Sequence, residues 1–387
     1  MKRIAIITTH PIQYYAPLYK LLAERKNIEL KVFYTWGEGA KNNVFDPGFG
    51  KQREWDIPLL EGYAYEFVKN ISKSPGSSHF KGIINPDIVE RINSFRPNAL
   101  LVQGWAFHSH LKILRKFKGK IPIYFRGDST LLDESPSFSL KKIARRIFLT
   151  WVYRHIDKAF YVGTNNKAYY LRHGIINDQL VYTPHAIDNN RFFDSNNTDA
   201  SQVVQWKKEL SIPTNKVAVL FAGKLEKKKN PFFIVEAAKK MPHLFFIIVG
   251  NGILEQEIKD QIQNLSNCIL LPFQNQSKMP LVYRLADIFV LPSQGPGETW
   301  GLAINEAMAC GRLIVASNKS GGAIDLIANG ENGYIIEPTL NSTLDALNKI
   351  IDNPWMLENG GVASIKKIQD FSYAHIAEAI ENEINQN

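Results

Sequence analysis

The chain has 387 residues and a formal net charge of +9, a length that exceeds one ordinary core and suits two α/β domains. It has two cysteines, Cys268 and Cys310, and no apolar run long enough to span a bilayer, so we expect a cytosolic protein with reduced thiols. A basic chain can bind nucleic acid, anionic lipid or phosphorylated ligands, but the absence of zinc spacing, an aromatic–basic RNA motif and a basic arm argues against nucleic acid.

The first predicted elements place a polar turn at the edge of a sheet. Apolar residues 3–8 predict a strand, and residues 14–24 predict an amphipathic helix. His10, Gln13 and Tyr14 lie at the turn between them. Ligands of open α/β sheets bind at the carboxyl ends of strands, so we expect these residues to serve a site. The alternative for His10 is a cap or turn residue.

A second polar turn follows the buried strand predicted at residues 99–103. It contains Trp105, His108 and His110. Two histidines at this spacing without a third partner make a poor metal site, so we expect them to cap the next helix or to face a cleft.

Another strand is predicted at residues 121–125. Arg126 and Asp128 follow it directly. They either contact a ligand at the strand end or pair with each other to hold the loop.

Residues 139–153 predict a helix with two contrasting faces. Four basic residues lie on one side and apolar residues cover much of the rest: Lys141, Lys142, Arg145 and Arg146 against Ile143, Ile147, Phe148 and Trp151. A basic amphipathic helix can rest on an anionic membrane. A domain helix with a solvated basic face is an equally good explanation.

The second half begins after a polar segment at about residues 190–202. A buried strand is predicted at residues 216–222, and Gly223, Lys224 and Lys229 follow it. A lysine run is normally a solvated surface, but directly after a strand it favours a phosphate-binding loop.

Two more strands are predicted at residues 244–250 and 269–271. The first ends in Gly250-Asn251-Gly252, which is too short for a dinucleotide fingerprint and predicts a tight turn. Phe273 and Gln274 follow the second strand.

Residues 286–317 predict a strand, a Gly- and Pro-rich loop, a helix and another strand. Backbone N–H groups at such a helix start favour a phosphorylated ligand. Glu298 in the loop and Glu306 in the helix could accept hydrogen bonds from sugar hydroxyls. On spacing alone, two glutamates also arise easily by chance.

This stretch resembles the donor-site signature of family 4 retaining glycosyltransferases, also called glycosyl transferases group 1. That signature is E-x-F-G, three or four apolar residues, and E-A-M-A-x-G. Here it reads Glu298-Thr299-Trp300-Gly301, then Glu306-Ala307-Met308-Ala309-Cys310-Gly311, with Trp300 replacing the usual Phe.

The resemblance implies the α/β GT-B fold, in which two Rossmann-like domains have parallel sheets that face across a cleft. The expected first domain, residues 1–195, binds the acceptor. The expected second domain, residues 196–370, binds the nucleotide-sugar. Residues 371–387 are expected to form a C-terminal helix that crosses back onto the first domain.

The resemblance also implies donor-site roles. Gly223 and Lys229 match the family pattern G-R-x-x-x-x-K-G, in which Lys224 replaces the arginine, and the two lysines would hold the diphosphate. Glu298 would orient the sugar and Glu306 the ribose. The full expected donor set is Gly223, Lys224, Lys229, Gly250, Phe273, Gln274, Glu298, Thr299, Trp300, Gly301, Leu302 and Glu306. The expected catalytic residues are Glu298, Lys229, Lys224 and Arg126.

The first domain departs more from the family pattern. Residues 10–19, HPIQYYAPLY, replace a glycine-rich loop and look like a subgroup that builds bacterial surface glycans. Arg126 stands where many members carry a His, and His185 stands where the P-N-G-V-D stretch has Asn. The expected acceptor-binding residues are His10, Gln13, Tyr14, Trp105, His108, Asp128 and His185.

The implied reaction is retaining transfer of a hexosyl or N-acetylhexosaminyl group from a nucleotide-sugar to a glycan or lipid-linked acceptor. The chain has no D-x-D motif and its lysines can replace a cation, so we expect neither metal nor cofactor. We expect the protein in the cytoplasm, with contact to the inner face of the membrane through its basic helix.

Two alternatives remain open. They are a GT-B nucleotide-sugar epimerase and a non-catalytic sugar-nucleotide-binding subunit of a membrane glycan assembly. A glycosidase also uses two carboxylates, but it would not need lysines after a strand.

Overall fold

The structure is a computed structural model that describes residues 1–37, 56–134, 139–194 and 199–386, with the backbone of residues 44–46 and 51–53. The chain forms two compact units. The first comprises Met1–Val44, Ile57–His185 and Tyr373–Asn387, and the second comprises Phe45–Asp56 and Ala186–Ser372. From the sequence we expected the breaks after residues 195 and 370.

Helices and strands alternate along the chain. Those up to residue 185 include β1 (Arg3–Thr8), α1 (Ala16–Arg25), β2 (Glu29–Tyr34), β3 (Val44–Asp46), β4 (Lys51–Arg53), β5 (Ala64–Phe67), α2 (Ile88–Phe95), β6 (Ala99–Gln103), α3 (His108–Phe117), β7 (Ile123–Arg126), α4 (Leu140–Tyr153), β8 (Lys158–Tyr161), α5 (Thr164–Arg172) and β9 (Leu180–Tyr182).

The later elements include α6 (Asn189–Phe192), α7 (Ala200–Glu209), β10 (Ala218–Ala222), α8 (Phe232–Lys240), β11 (Phe245–Val249), α9 (Glu255–Ile262), β12 (Cys268–Leu271), α10 (Met279–Arg284), β13 (Ile288–Leu291), α11 (Leu302–Ala309), β14 (Leu313–Ser317), α12 (Ala323–Leu326), β15 (Gly333–Ile336), α13 (Leu340–Ile351), α14 (Pro354–Ile368) and α15 (Tyr373–Gln386).

Each unit is built on a parallel sheet. The strand order is β5-β2-β1-β6-β7-β8-β9 in the first unit and β12-β11-β10-β13-β14-β15 in the second. Helices cover parallel sheets on both faces, which explains why the central strands are continuous apolar runs. All residues of β10, β11 and β13 are buried. The predicted α/β architecture with two parallel sheets is confirmed.

In both sheets the strand order reverses at one point. It reverses between β1 and β6 in the first unit, and between β10 and β13 in the second. Loops leaving two such neighbouring strands turn to opposite faces of the sheet and leave a crevice between them, where ligands of open α/β sheets bind. The topology therefore draws attention to the loops after β10 and β13.

The C-terminal helix belongs to the first unit. Glu381 of α15 is buried and accepts hydrogen bonds from Arg25 Nη2 (2.8 Å) and Asn27 Nδ2 (3.0 Å). Tyr124 of β7 also donates to the carbonyl of Glu383 (2.9 Å). These contacts fasten the last helix to α1 and to the first sheet.

The sequence pattern gives residues 36–83 as irregular, yet the three strands β3, β4 and β5 lie within them. The last of these, β5, pairs with β2 at the edge of the first sheet. This strand has four residues, none of them buried. Its sequence therefore lacks the continuous apolar run that marks the central strands.

Candidate functional site

The loops after β10 and β13 meet at the reversal point of the second sheet. The backbone N–H of Gln294, in the loop after β13, donates to the carbonyl of Lys228 in the loop after β10 (2.8 Å). This bond joins the two segments in which the sequence predicts lysine and glutamate ligands. The candidate site is therefore one structure built from two loops.

An ion pair links the same two loops. Lys229 Nζ contacts Glu298 Oε2, and their side chains are 21% and 13% exposed. Ser293 Oγ donates to the same carboxylate oxygen (2.9 Å), and Ser293 is itself fully buried at the end of β13. The structure thus brings together two predicted catalytic residues and adds Ser293 as the residue that positions Glu298.

The second predicted carboxylate is held by a tyrosine. Glu306 of α11 is 3% exposed, and its Oε2 accepts a hydrogen bond from the hydroxyl of Tyr283 (2.7 Å). Tyr283 belongs to α10 and packs edge-on to Phe289 of β13, with ring centroids 5.5 Å apart. A buried carboxylate needs such a donor, so Tyr283 fixes the orientation of Glu306.

The start of α11 is shaped by Trp300 and Gly301. Trp300 is buried, and its indole N–H donates to Asn305 Oδ1 (2.8 Å). Gly301 has φ +93°, and a Cβ there would lie 3.1 Å from a methyl group of Leu291. A larger residue would therefore suffer both backbone strain and a steric clash. The first N–H groups of α11 thus stand next to Glu298 in the chain, where they can favour an anion.

The turn after β11 closes onto the lysine loop. A Cβ on Gly250 would lie only 1.9 Å from the carbonyl oxygen of Gly223, and one on Gly252 would lie 2.5 Å from that of Leu225. Both glycines also have φ in the left-handed range. This close backbone packing is the physical reason for the Gly-x-Gly pattern.

The other predicted donor residues surround these loops. The backbone N–H of Phe273 donates to Asn251 Oδ1 (2.7 Å), and Gln274 Nε2 donates to the carbonyl of Pro272 (3.1 Å). Lys224 is the second residue after β10, directly after Gly223. Thr299 lies between Glu298 and Trp300, and Leu302 is the first residue of α11.

In the first unit, the Arg126 side chain is engaged by the backbone. Arg126 is 3% exposed; its Nη1 donates to the carbonyl of Thr183 (2.7 Å) and its Nη2 to that of Pro184 (3.0 Å). The guanidinium also contacts Thr183 Oγ1. These bonds show that Arg126 holds the segment after β9, whatever further role it has.

Asp128 and His185 lie beside this arginine. His185 Nε2 is 3.8 Å from Asp128 Oδ2, and the histidine is buried while the aspartate is half exposed. Burial lowers the pKa of His185, and the nearby Asp128 only partly opposes this shift. The sequence alternative in which Arg126 pairs with Asp128 gives way to an arrangement in which Arg126 binds carbonyls and Asp128 faces His185.

The turn after β1 contains the remaining predicted residues of that region. His10 Nδ1 is 3.0 Å from Thr9 Oγ1, and its ring lies edge-on to Trp36 with centroids 5.2 Å apart. Gln13 is buried and Tyr14 is half-buried.

Trp105 and His108 lie at the turn between β6 and α3. Trp105 packs edge-on to Phe148 (5.5 Å between centroids), whereas His108 is exposed at the start of α3 near Phe80. Trp105 thus packs against α4.

His110 has a structural role. It is fully buried, with Nδ1 2.9 Å from the carbonyl of Gly104 and Nε2 2.9 Å from Thr35 Oγ1. Burial lowers its pKa to about 4, so the ring is neutral and carries its proton on Nδ1. Within the described part of the chain, no group of three or more His, Cys, Asp or Glu side chains is placed to hold a metal.

Comparison with known proteins agrees with this geometry. The family model of glycosyl transferases group 1 matches residues 203–367, which all lie in the second unit. This region is similar to glycosyl transferases group 1. It contains Lys224, Lys229, Glu298 and Glu306.

Two curated relatives come from Mycolicibacterium smegmatis. D-inositol 3-phosphate glycosyltransferase is 28% identical over 198 residues, which are 49% of this chain and 43% of the relative. Alpha-maltose-1-phosphate synthase is 28% identical over 188 residues, 44% of this chain and 48% of the relative. The chain thus matches less than half the length of each of these two relatives.

A solved structure supports the fold over the whole chain. The Anabaena protein HepE, crystallised with UDP and glucose, superposes with a TM-score of 0.71 and covers 100% of both chains at 17% identity. The fold is therefore GT-B, as the sequence predicts.

Sequence reasoning missed the residues that hold the two carboxylates of Glu298 and Glu306. Ser293 could have been found from its place two residues after the end of β13, since polar residues at strand ends face the crevice. Tyr283 gives no such signal, because its contact with Glu306 is made across 23 residues between two helices.

Proposed function

We propose that this protein is a retaining glycosyltransferase of family 4 that moves a hexosyl or N-acetylhexosaminyl group from a nucleotide-sugar to an acceptor hydroxyl. The observation that carries the proposal is the ion pair of Lys229 and Glu298 at the reversal point of the second sheet, with the buried Glu306 in the helix that follows the same loop. A cation, two held carboxylates and a helix start match a ligand with a diphosphate, a sugar and a ribose.

Lys229 and Lys224 would stabilise the diphosphate, which gains negative charge as the bond to the sugar breaks. Electrostatic stabilisation of this kind is commonly the largest catalytic contribution of a site. Lysines can supply the charge that a divalent cation supplies elsewhere, so we propose transfer without a metal or cofactor.

Glu306 would accept hydrogen bonds from the ribose diol, and Glu298 from hydroxyls of the transferred sugar. Lys229 currently pairs with Glu298, so binding of a diphosphate would draw the lysine toward phosphate and leave the carboxylate to the sugar. Tyr283 and Ser293 would keep the two carboxylates in place through this exchange.

In the reaction itself, the bond between the anomeric carbon and the phosphate oxygen breaks as a bond to the acceptor oxygen forms on the same face. The acceptor proton would pass to the leaving phosphate oxygen, so no protein nucleophile is needed. Arg126 would act from the first unit by holding the Thr183–Pro184 segment beside Asp128 and His185.

We propose that the acceptor is a glycan or a lipid-linked molecule. The transfer would take place in the cytoplasm, at the inner face of the membrane, during synthesis of bacterial surface polysaccharide. The acceptor would contact the first unit through its strand-end residues, which are His10, Gln13, Tyr14, Trp105, His108, Asp128 and His185. The support is the resemblance of residues 10–19 and the basic helix α4. No helix in the described residues is long and apolar enough to cross a membrane.

The test is donor turnover by the full-length protein. We would offer UDP-sugars first, because HepE was crystallised with UDP and glucose, and then GDP- and ADP-sugars. Formation of a glycoside whose anomeric configuration equals that of the donor, in the presence of EDTA, is the expected result. Epimerised donor without acceptor would favour the epimerase alternative, and donor binding without any turnover would favour the non-catalytic subunit.

A further inference from the structure

The first two turns of α4 stand out from the surface. Every residue from Leu140 to Phe148 is exposed except the half-buried Lys142. The helix is anchored only by its second half, where Leu149, Val152 and Tyr153 are buried. This segment therefore projects its side chains into the surroundings over more than two turns.

Large apolar side chains occupy one side of this projecting segment. Leu140, Ile143 and Ile147 are 77%, 42% and 67% exposed, and Phe148 beside them is 42% exposed. Spacings of three and four residues place the first three on one helix face. Exposed apolar residues scattered singly need no explanation, but a contiguous row marks an interaction surface.

The row continues into a shallow apolar groove along the same helix. A cavity of about 560 Å³ is lined by residues at helical spacing, namely Ile143, Arg146, Ile147, Thr150, Trp151 and Arg154. Its lining combines apolar side chains with two arginines, Arg146 and Arg154. Apolar side chains together with cations suit a lipid surface, which offers both acyl chains and phosphate groups.

The charge of the segment is of one sign. Lys141, Lys142, Arg145 and Arg146 lie on the side of the helix next to the apolar row, and the sequence from residue 139 to 153 contains no acidic residue. Arg145 lies 4.0 Å from Glu134, with its own side chain 58% exposed. Since basic residues near a surface are attracted to anionic lipids, this pattern complements a negatively charged bilayer better than it complements a neutral one.

We propose that the N-terminal half of α4 is a docking surface for an anionic lipid bilayer. Leu140, Ile143 and Ile147 would enter the boundary between headgroups and acyl chains, while the surrounding lysines and arginines contact lipid phosphates. Only the biological role of this surface, which is to hold the enzyme near a lipid-linked acceptor, rests on the proposed function. Binding itself requires no turnover.

The test is co-sedimentation of the full-length protein with phosphatidylcholine vesicles that either contain or lack phosphatidylglycerol. We expect binding to the anionic vesicles, much weaker binding to the neutral ones, and loss of binding in high salt. The double variant Ile143→Glu/Ile147→Glu should bind anionic vesicles at least about tenfold more weakly. Arg145→Glu/Arg146→Glu should weaken binding by a similar factor.

Matched controls separate this surface from general effects of charge. Val204→Glu and Val362→Glu introduce the same residue at positions that are 68% and 66% exposed on α7 and α14. Both should bind vesicles like the unaltered protein. Thermal unfolding and nucleotide binding of every variant should be unchanged, because none of these residues lies in the donor site or the core.

Three results would overturn the proposal. They are equal binding to neutral and anionic vesicles, no binding to either, and undiminished binding by the Ile143→Glu/Ile147→Glu variant. A concentration-dependent dimer that this variant abolishes, without vesicle binding, would assign the face to a second copy of the chain. If the unaltered protein binds anionic vesicles but does not turn over any donor, the proposed function is refuted and the docking surface stands.

Discussion

The strand ends of the two sheets use their polar residues in opposite ways. In the first unit, buried Arg126 and His110 point their nitrogen atoms at backbone carbonyls of their own unit. In the second unit, Lys229 and Glu298 pair through partly exposed side chains, and the loops around them are closed by glycines. At the edge of the first sheet the buried polar side chains therefore hold the backbone together, whereas at the edge of the second sheet the charged side chains stay accessible.

This difference explains why the family resemblance is concentrated in the second unit. A diphosphate and a ribose require cations, carboxylates and close backbone approach at set places, which constrains sequence strongly. Backbone carbonyls can be satisfied by many polar side chains, so the edge of the first sheet is free to vary.

The largest expected effect comes from removing the accessible cation. Lys229→Ala should lower kcat by about 10²–10³-fold, because it removes the charge that we propose stabilises the leaving diphosphate. Lys227→Ala is the matched control, since this exposed lysine lies two residues away in the same loop. Steady-state kinetics with a nucleotide-sugar would measure both, and equal losses would show that only the general charge of the loop matters.

Acid should act on the first unit and spare the second. Burial lowers the pKa of His110 to about 4, whereas the unfolded value is about 6.5, so the unfolded chain binds more protons between these values. The contribution of neutral His110 to the free energy of unfolding is fully present above pH 6.5 and is lost as the pH falls toward 4. The loss is on the order of 3 kcal/mol. Burial also lowers the pKa of His173 and His185 in the same unit.

The second unit offers an internal control, because its one histidine, His243, is exposed. Hydrogen exchange followed by mass spectrometry should show β1 and β6 losing protection as pH is lowered, after correction for intrinsic exchange, while β10 and β13 change less. Equal loss of protection in both sheets would remove the histidines as the cause.

Adding one methyl group at Gly250 should test the close backbone packing between the turn after β11 and the lysine loop after β10. Gly250→Ala places a Cβ 1.9 Å from the Gly223 carbonyl oxygen, so we expect a loss of stability of about 1–3 kcal/mol together with weaker nucleotide binding. Gly223→Ala places its Cβ no closer than 3.7 Å to Phe221 and should leave thermal unfolding nearly unchanged. An equally stable Gly250→Ala protein would mean that the turn is not packed as described.

The smallest expected effect comes from the residues that hold the carboxylates. Tyr283→Phe removes the hydroxyl that donates to Glu306, at a cost of about 1 kcal/mol, or about fivefold in donor affinity. Calorimetric titration with UDP would measure it. Unchanged affinity would show that Glu306 keeps its orientation without this bond.

The sequence predicts those parts of the molecule that depend on neighbours in the chain. Apolar runs followed by glycine, lysine and glutamate mark β10, β13 and their loops, and the glycine after α11 marks the end of that helix. The contacts of Tyr283 with Glu306 and of Arg126 with Thr183 join residues 23 and 57 positions apart, so no local pattern reveals them. The edge strand β5 escaped prediction because it is short and has no buried residue.

The most direct test of the account is a calorimetric titration of the full-length protein with UDP, GDP and ADP in the presence of EDTA. Glu306→Gln and the exposed Glu331→Gln would be titrated alongside as matched variants. The account predicts binding of one nucleotide that survives EDTA, a loss of about tenfold or more for Glu306→Gln, and no change for Glu331→Gln. Absence of binding to all three nucleotides, or equal affinity of the two variants, would contradict a donor site at the reversal point of the second sheet.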